Sequence, residues 1–251
     1  MKLTDWFVTK ASWALHQDKR QTIDFSRLLK GKKGLEIGGP SLFFGRKSYF
    51  PAYLYADRVD GVNFNTTTVW EGKINGGWTY KYLTGRQNGY QYITEASELE
   101  GVPDASYDFL LSCHSMEHLA NPLKALKRWR EVLKNEGVLV LVLPNKEVTF
   151  DHQRPYTTFE HLLEDCTNNV TEADTSHFAE VVQLHDIEKD PGVRTFEELE
   201  KRTIQNFSNR CVHHHVFSFE TIKTCLSYCG FEVLLQKKIH EINLFTLARK
   251  I

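Results

Sequence analysis

Residues 138–144 read VLVLVLP. Successive side chains of a strand point to opposite faces, so this run predicts a strand that is apolar on both. Such a strand needs cover above and below, which is the setting of a central parallel strand in an α/β sheet. The preceding stretch, NPLKALKRWREVLKNEG (121–137), has a helical period. Leu123, Leu126, Trp129, Val132 and Leu133 share one face, Pro122 opens the helix, and Gly137 is expected to close it.

The remaining elements follow the same alternation. TIDFSRLLK (22–30) reads as a short helix, and Leu35 with Ile37 as a strand ending at Gly38-Gly39-Pro40. AYLYADRVDGV is expected to form a second strand that reaches its end at Asp57, and 65–89 a long loop. GYQYITEA supplies a third strand and Phe109-Leu110-Leu111 a fourth. From Asn145 to Arg210 the chain turns polar, and EHLLEDC, SHFAEVVQLHDI and FEELEKRTIQNF read as helices. SFETIKTCLSYCG is an amphipathic helix with Ser218 as N-cap and Gly230 as C-cap, followed by the strands FEVLLQKKI and NLFTLAR. The organisation expected is a helical cap (1–30), an α/β core (31–145 and 216–251) and a helical insertion after the fifth strand (146–215).

The formal charge of −1 argues against a nucleic-acid-binding surface. Five cysteines, with no CxxC pair, suggest neither a disulfide framework nor a thiolate zinc site, and point to a cytoplasmic protein. No stretch has the roughly 20 apolar residues of a membrane helix, so stable membrane insertion is not expected. Leu3, Trp6, Phe7 and Trp13 suit one face of a helix packed on the domain.

In a doubly wound sheet the ligand binds at the carboxyl ends of the strands. LEIGGPS places Glu36, Gly38 and Gly39 there. The spacing is not the G-x-G-x-x-G that cradles a pyrophosphate. An acid two residues before the glycines suits a ligand with ammonium or sulfonium charge. Asp57, 21 positions beyond Glu36, suits ribose hydroxyls, with Asp60 as its rival. Glu95-Ala96, after the third strand, suits adenine.

These segments, together with SYDFLLSCHSMEHLANPLKALKRWREVLKNEGVLVLVLP, resemble the class I S-adenosylmethionine-dependent methyltransferases. The resemblance implies a Rossmann-like, seven-stranded, mostly parallel sheet with an antiparallel last strand. It implies S-adenosyl-L-methionine as cofactor, with Glu36, Gly38 and Gly39 at its methionine end, Asp57 at the ribose, Glu95 and Ala96 at the adenine, and Cys113 and His114 beside the sulfonium.

The insertion follows the fifth strand and should overhang the methyl donor. Its FDHQRPYTTFEHLLED and the later HHHVF are similar to runs in sugar-modifying relatives, which implies a small polar or glycan-precursor acceptor. A hydroxyl acceptor must lose its proton, and histidine titrates near neutral pH. The candidate bases are His152, His214 and His114, while Arg154, His213 and His215 are assigned to substrate binding. His118 reads as a structural residue. His161 and Asp165 stand i,i+4, and His177 and His185 i,i+8, as metal ligands can. Strand alternation would split His213 and His215 from His214, however, so no metal ligand is assigned. Rival readings are a metal-dependent enzyme using the insertion histidines, and a non-catalytic module that binds a glycan-assembly partner.

Overall fold

The computed structural model describes residues 10, 11, 13 and 17–251. Leu3, Trp6 and Phe7 of the expected cap lie outside the described residues; Trp13 is bonded through Nε1 to Asp24. Asp24 belongs to the first helix, α1 (Gln17–Arg27). The first strand, β1 (Lys33–Ile37), follows, then the one-turn helix α2 (Ala52–Tyr55) and β2 (Arg58–Asn63). A small two-stranded ribbon, β3 (Thr67–Thr68) with β4 (Gly72–Lys73), precedes β5 (Gly77–Tyr80) and β6 (Gly89–Ile93). Then come β7 (Tyr107–Cys113), α3 (Pro122–Val132) and β8 (Leu133–Pro144). The insertion carries α4 (Phe159–Thr167), α5 (Phe178–Leu184), α6 (Phe196–Ile204) and α7 (Asn206–Asn209). The chain closes with α8 (Phe219–Tyr228), β9 (Phe231–Ile239) and β10 (Asn243–Lys250).

The main sheet has the order β5-β6-β2-β1-β7-β8-β10-β9. The pairs from β6 to β8 are parallel, and β10 runs antiparallel to both β8 and β9. The seven expected strands are all present, and β5 adds an eighth, antiparallel to β6 at the edge. It arises inside the stretch read as loop.

The VLVLVLP run behaves as its pattern demands. Leu139, Leu141 and Leu143 enter one core with Leu110, Leu126, Trp129 and Ile222. Val140 and Val142 enter the other with Phe44, Phe109, Leu111 and Phe245. Asn121 caps α3 by accepting the Lys124 amide, and Trp129 donates its indole N–H to the Ala96 carbonyl at 2.8 Å. α3 stops at Val132, earlier than expected; Gly137 lies inside β8, not at a helix end.

Two differences from the expected elements move the site. AYLY forms α2, so β2 begins only at Arg58 and ends at Asn63, and Asp57 sits at its amino end. The segment that carries the three histidines, between α7 and α8, is extended coil with no strand partner, so two-fold alternation does not govern it. It is tied to the core by the His215 amide on the Glu117 carbonyl and to Thr157 through Val216. Finally, no helix among the described residues is long and apolar enough to cross a membrane.

Candidate functional site

At the end of β1 the chain must turn without side chains. Gly38 has φ +74°, and a Cβ on it would press on the Ser115 hydroxyl. A Cβ on Gly39 would land on the Glu36 carboxyl and the Tyr80 hydroxyl. Glu36 itself is fully buried. Tyr53 and Tyr80 each donate a phenolic hydrogen bond to its Oε2 at 2.6 Å, and the Ser41 amide donates to Oε1 at 2.9 Å. Burial raises its pKa, and these donors oppose the shift. Glu36 therefore braces the turn from beneath.

Above the turn lies a cavity of about 440 Å³ at the carboxyl edge of the sheet. Gly38 and Ser41 line it from the β1 turn, Asn63 from the end of β2, Glu95 and Ala96 from beyond β6, and Cys113, His114, Ser115 and His118 from beyond β7. Phe64, directly after β2, closes one side together with Trp70 and Glu71 from the segment read as loop. The insertion contributes Glu172 and Arg210. The Arg210 guanidinium bonds Glu95 Oε1 at 2.6 Å and Glu172 Oε2 at 2.8 Å, so the insertion latches onto the residue after β6. Burial pushes the Glu172 carboxyl up to about 7, and Arg210 opposes the shift without cancelling it. Burial likewise raises the Cys113 thiol, which keeps it protonated and unsuited to act as a nucleophile.

The structure does not bring all the expected residues here. Asp57 is exposed at the amino end of β2, and Asp60 is buried mid-strand, paired with Lys33 and Arg58 and accepting the Tyr107 hydroxyl. The strand end that faces the cavity carries Asn63 instead. Arg154 is no substrate clamp: it is 1% exposed and its guanidinium is spent on Asp151, Glu180 and the carbonyls of His213 and His214. His152 lies outside the cavity, 2.8 Å from Asp186.

None of the three consecutive histidines lines the cavity. His213 Nδ1 meets Asp151 Oδ2 at 2.5 Å; burial disfavours its charged form, but the carboxylate outweighs that and its pKa rises. His214 is buried against Asn206, and burial with the neighbouring His177 pushes it down to about 3. His215, also buried, faces the Ala120 carbonyl at 3.3 Å. The coil folds all three rings inward, so the structure places neither His214 as a base nor His213 and His215 as substrate contacts at the cavity.

The residue missed in the sequence is His118. Its Nδ1 donates to the Val212 carbonyl at 3.0 Å, which leaves Nε2 as the acceptor. Burial holds its pKa well below 6.5, with neighbouring His213 adding to the shift. Beside it Glu117 is fully buried, with neither carboxyl oxygen hydrogen-bonded and Oε1 4.0 Å from His118 Nε2. His114, exposed and at φ +49°, bonds Asn243 Oδ1 through Nε2 at 2.9 Å. Among the described residues, three groups have donor atoms close enough to hold a metal: Glu117-His118-His213, His161-His177-His215 and Asp174-His177-His214.

The cavity suits a nucleoside with an amino-acid arm. It has a side-chain-free turn, a polar amide at the β2 end and an apolar slot beside Ala96 and Leu119, and its Arg210 is held by Glu95 and Glu172 rather than offered to a pyrophosphate. The comparisons agree. The family model described as "Methyltransferase domain" matches residues 25–236. Similar solved structures include an S-adenosylmethionine-dependent methyltransferase from Mesorhizobium loti (13% identity, TM-score 0.54, 96% of this chain and 98% of that one). Another, from Aquifex aeolicus, has 16% identity, a TM-score of 0.51 and full coverage of both chains. A third is the methyltransferase CalH in complex with SAH (12% identity, TM-score 0.52), where 93% of this chain covers 55% of that one. No curated protein matches the chain. With the family model spanning most of its length and the fold and cavity in agreement, the chain belongs to the methyltransferase-domain family and is an S-adenosylmethionine-dependent methyltransferase.

Proposed function

We propose that the protein transfers a methyl group to a hydroxyl of a small polar acceptor, a sugar or glycan precursor, with His118 as the base that removes the hydroxyl proton. The observation that carries this reading is the fixed His118 ring at the cavity wall, with Nδ1 engaged on Val212 and Nε2 left to accept. S-adenosylmethionine, when bound, supplies a methyl on a sulfonium for in-line displacement. Gly38 and Ser41 would receive its amino-acid arm, Asn63 its ribose, and Glu95 with Ala96 its adenine, while Cys113 and His114 would flank the sulfonium.

Holding the acceptor oxygen in line is the main service such a site provides, up to about 7–11 kcal/mol in ideal intramolecular cases. The lowered pKa keeps His118 neutral, the state that accepts a proton. Glu117 is a positioning residue: its unpartnered carboxyl stands by the nitrogen that becomes protonated. A sugar-type acceptor is supported by the exposed Trp70 and the polar Glu71 and Arg210 at the cavity, and by the sequence likeness of the insertion.

The test is kinetic. Purified protein is assayed with S-adenosylmethionine against a panel of nucleotide-linked and free sugars. His118→Ala is expected to lower kcat by about 10²–10⁴, the range of a lost general base, with cofactor affinity retained. Full activity in His118→Ala, or turnover only with amine acceptors, refutes the proposal.

A further inference from the structure

Where the insertion meets the core, three imidazoles and a carboxylate converge away from the cavity. His161 and Asp165 come from one face of α4, His177 from the start of α5, and His215 from the coil before α8. His161 Nε2 faces His177 Nε2 at 2.9 Å. Asp165 Oδ2 lies 3.4 Å from His161 Nε2 and 3.7 Å from His215 Nε2. The rings of His161, His177 and His215 stand 5.0–5.7 Å apart.

Nitrogen and oxygen ligands bind zinc at about 2.0–2.2 Å, so the edges of a tetrahedral shell are about 3.3–3.6 Å. His161, His177 and His215 already have donor atoms within 4.8 Å of one another. The His161–His177 distance and the Asp165 oxygen beside His161 and His215 bracket that edge, and Asp165 turns towards His177 to close the shell. The protein's own hydrogen bonds leave the cluster unfinished. Asp165 Oδ2 and His215 Nδ1 are buried with no hydrogen-bond partner. His177 Nδ1 is directed to Asp174 Oδ2 at 3.3 Å and Ser176 Oγ at 3.1 Å, the outer-shell arrangement that turns Nε2 into a ligand. His161, partly exposed, leaves a way in.

We propose that His161, Asp165, His177 and a ring nitrogen of His215 form a closed tetrahedral site for a zinc-type divalent ion that staples the insertion to the core. Four protein ligands leave no open position, so the site is structural. Of the three adjacent histidines only His215 is a ligand, which removes the alternation objection. The site does not depend on the acceptor chemistry.

The full chain, stripped by a chelator and checked by circular dichroism, is titrated with Co²⁺ and then Zn²⁺. The expected result is one equivalent of Co²⁺ with the strong visible absorption of a tetrahedral centre, displaced by Zn²⁺, and a melting temperature that rises with free Zn²⁺. His161→Ala, at a partly exposed position, and Asp165→Asn should each lose the absorption and weaken binding at least tenfold while retaining the folded spectrum. The proposal is overturned by no stoichiometric binding, by unchanged binding in both variants, or by binding that is instead lost in Glu117→Gln.

Discussion

Glu36 shows how one carboxyl sets the geometry of the turn after β1. It receives two phenols and an amide in a space closed to water, and Gly39 packs on it because a methyl group would not fit. Removing one donor leaves a buried charge-bearing group underpaired, at a cost of about 1–3 kcal/mol. Tyr80→Phe should therefore lower the stability measured by urea unfolding by that amount and weaken cofactor binding; an unchanged midpoint contradicts the bracing role. The chemical type of Glu36, Gly38 and Gly39 was legible because a turn with these demands leaves them in the sequence. His118 was not legible, since it reads as a structural residue on a helix face packed against the sheet, and the Val212 carbonyl, 94 positions away, fixes its tautomer. The three consecutive histidines misled for the opposite reason: adjacency in sequence suggested a common site, whereas each ring finds a different buried partner.

Among the elements, those buried on both faces were readable and those at the margin were not. β1, β7 and β8 follow directly from their aliphatic runs. β2 was displaced because the tyrosines of AYLY have strand propensity yet fold as a helical turn, and this error carried Asp57 to the wrong end. The edge strand β5, GWTY, has only one partner and lies in a glycine-rich stretch that reads as loop despite the strand propensity of Trp78, Thr79 and Tyr80. Leu141, central in β8 and fully buried, should cost about 2–5 kcal/mol when cut to alanine, read from denaturant unfolding. The latch of the insertion carries its own pH signature. Glu172 is raised to about 7 in the fold from an ordinary 4.5. Its contribution to stability is thus complete below about pH 4.5 and is lost as pH rises through about 7. Glu172→Gln should flatten this part of the stability profile; a profile that keeps the wild-type slope removes Glu172 as its source.

At the scale of the molecule, seven strands in the doubly wound order hold a cavity at their carboxyl edge, and the insertion closes it with Arg210 and Glu172. The family and fold were legible in the sequence, because the glycine turn, the fourth strand and the helix leading to the fifth are local signals. Which side chains line the cavity from outside the strand ends was not, because Arg210 and His118 reach it through contacts distant in sequence. The account stands on one binding event. Calorimetric titration of the full chain with S-adenosylhomocysteine should give one site per chain, with affinity lowered about tenfold or more by Asn63→Ala, the loss of about one neutral hydrogen bond, and unchanged by Asp57→Ala. No heat of binding at about millimolar ligand, or a loss of affinity in Asp57→Ala with none in Asn63→Ala, would contradict it.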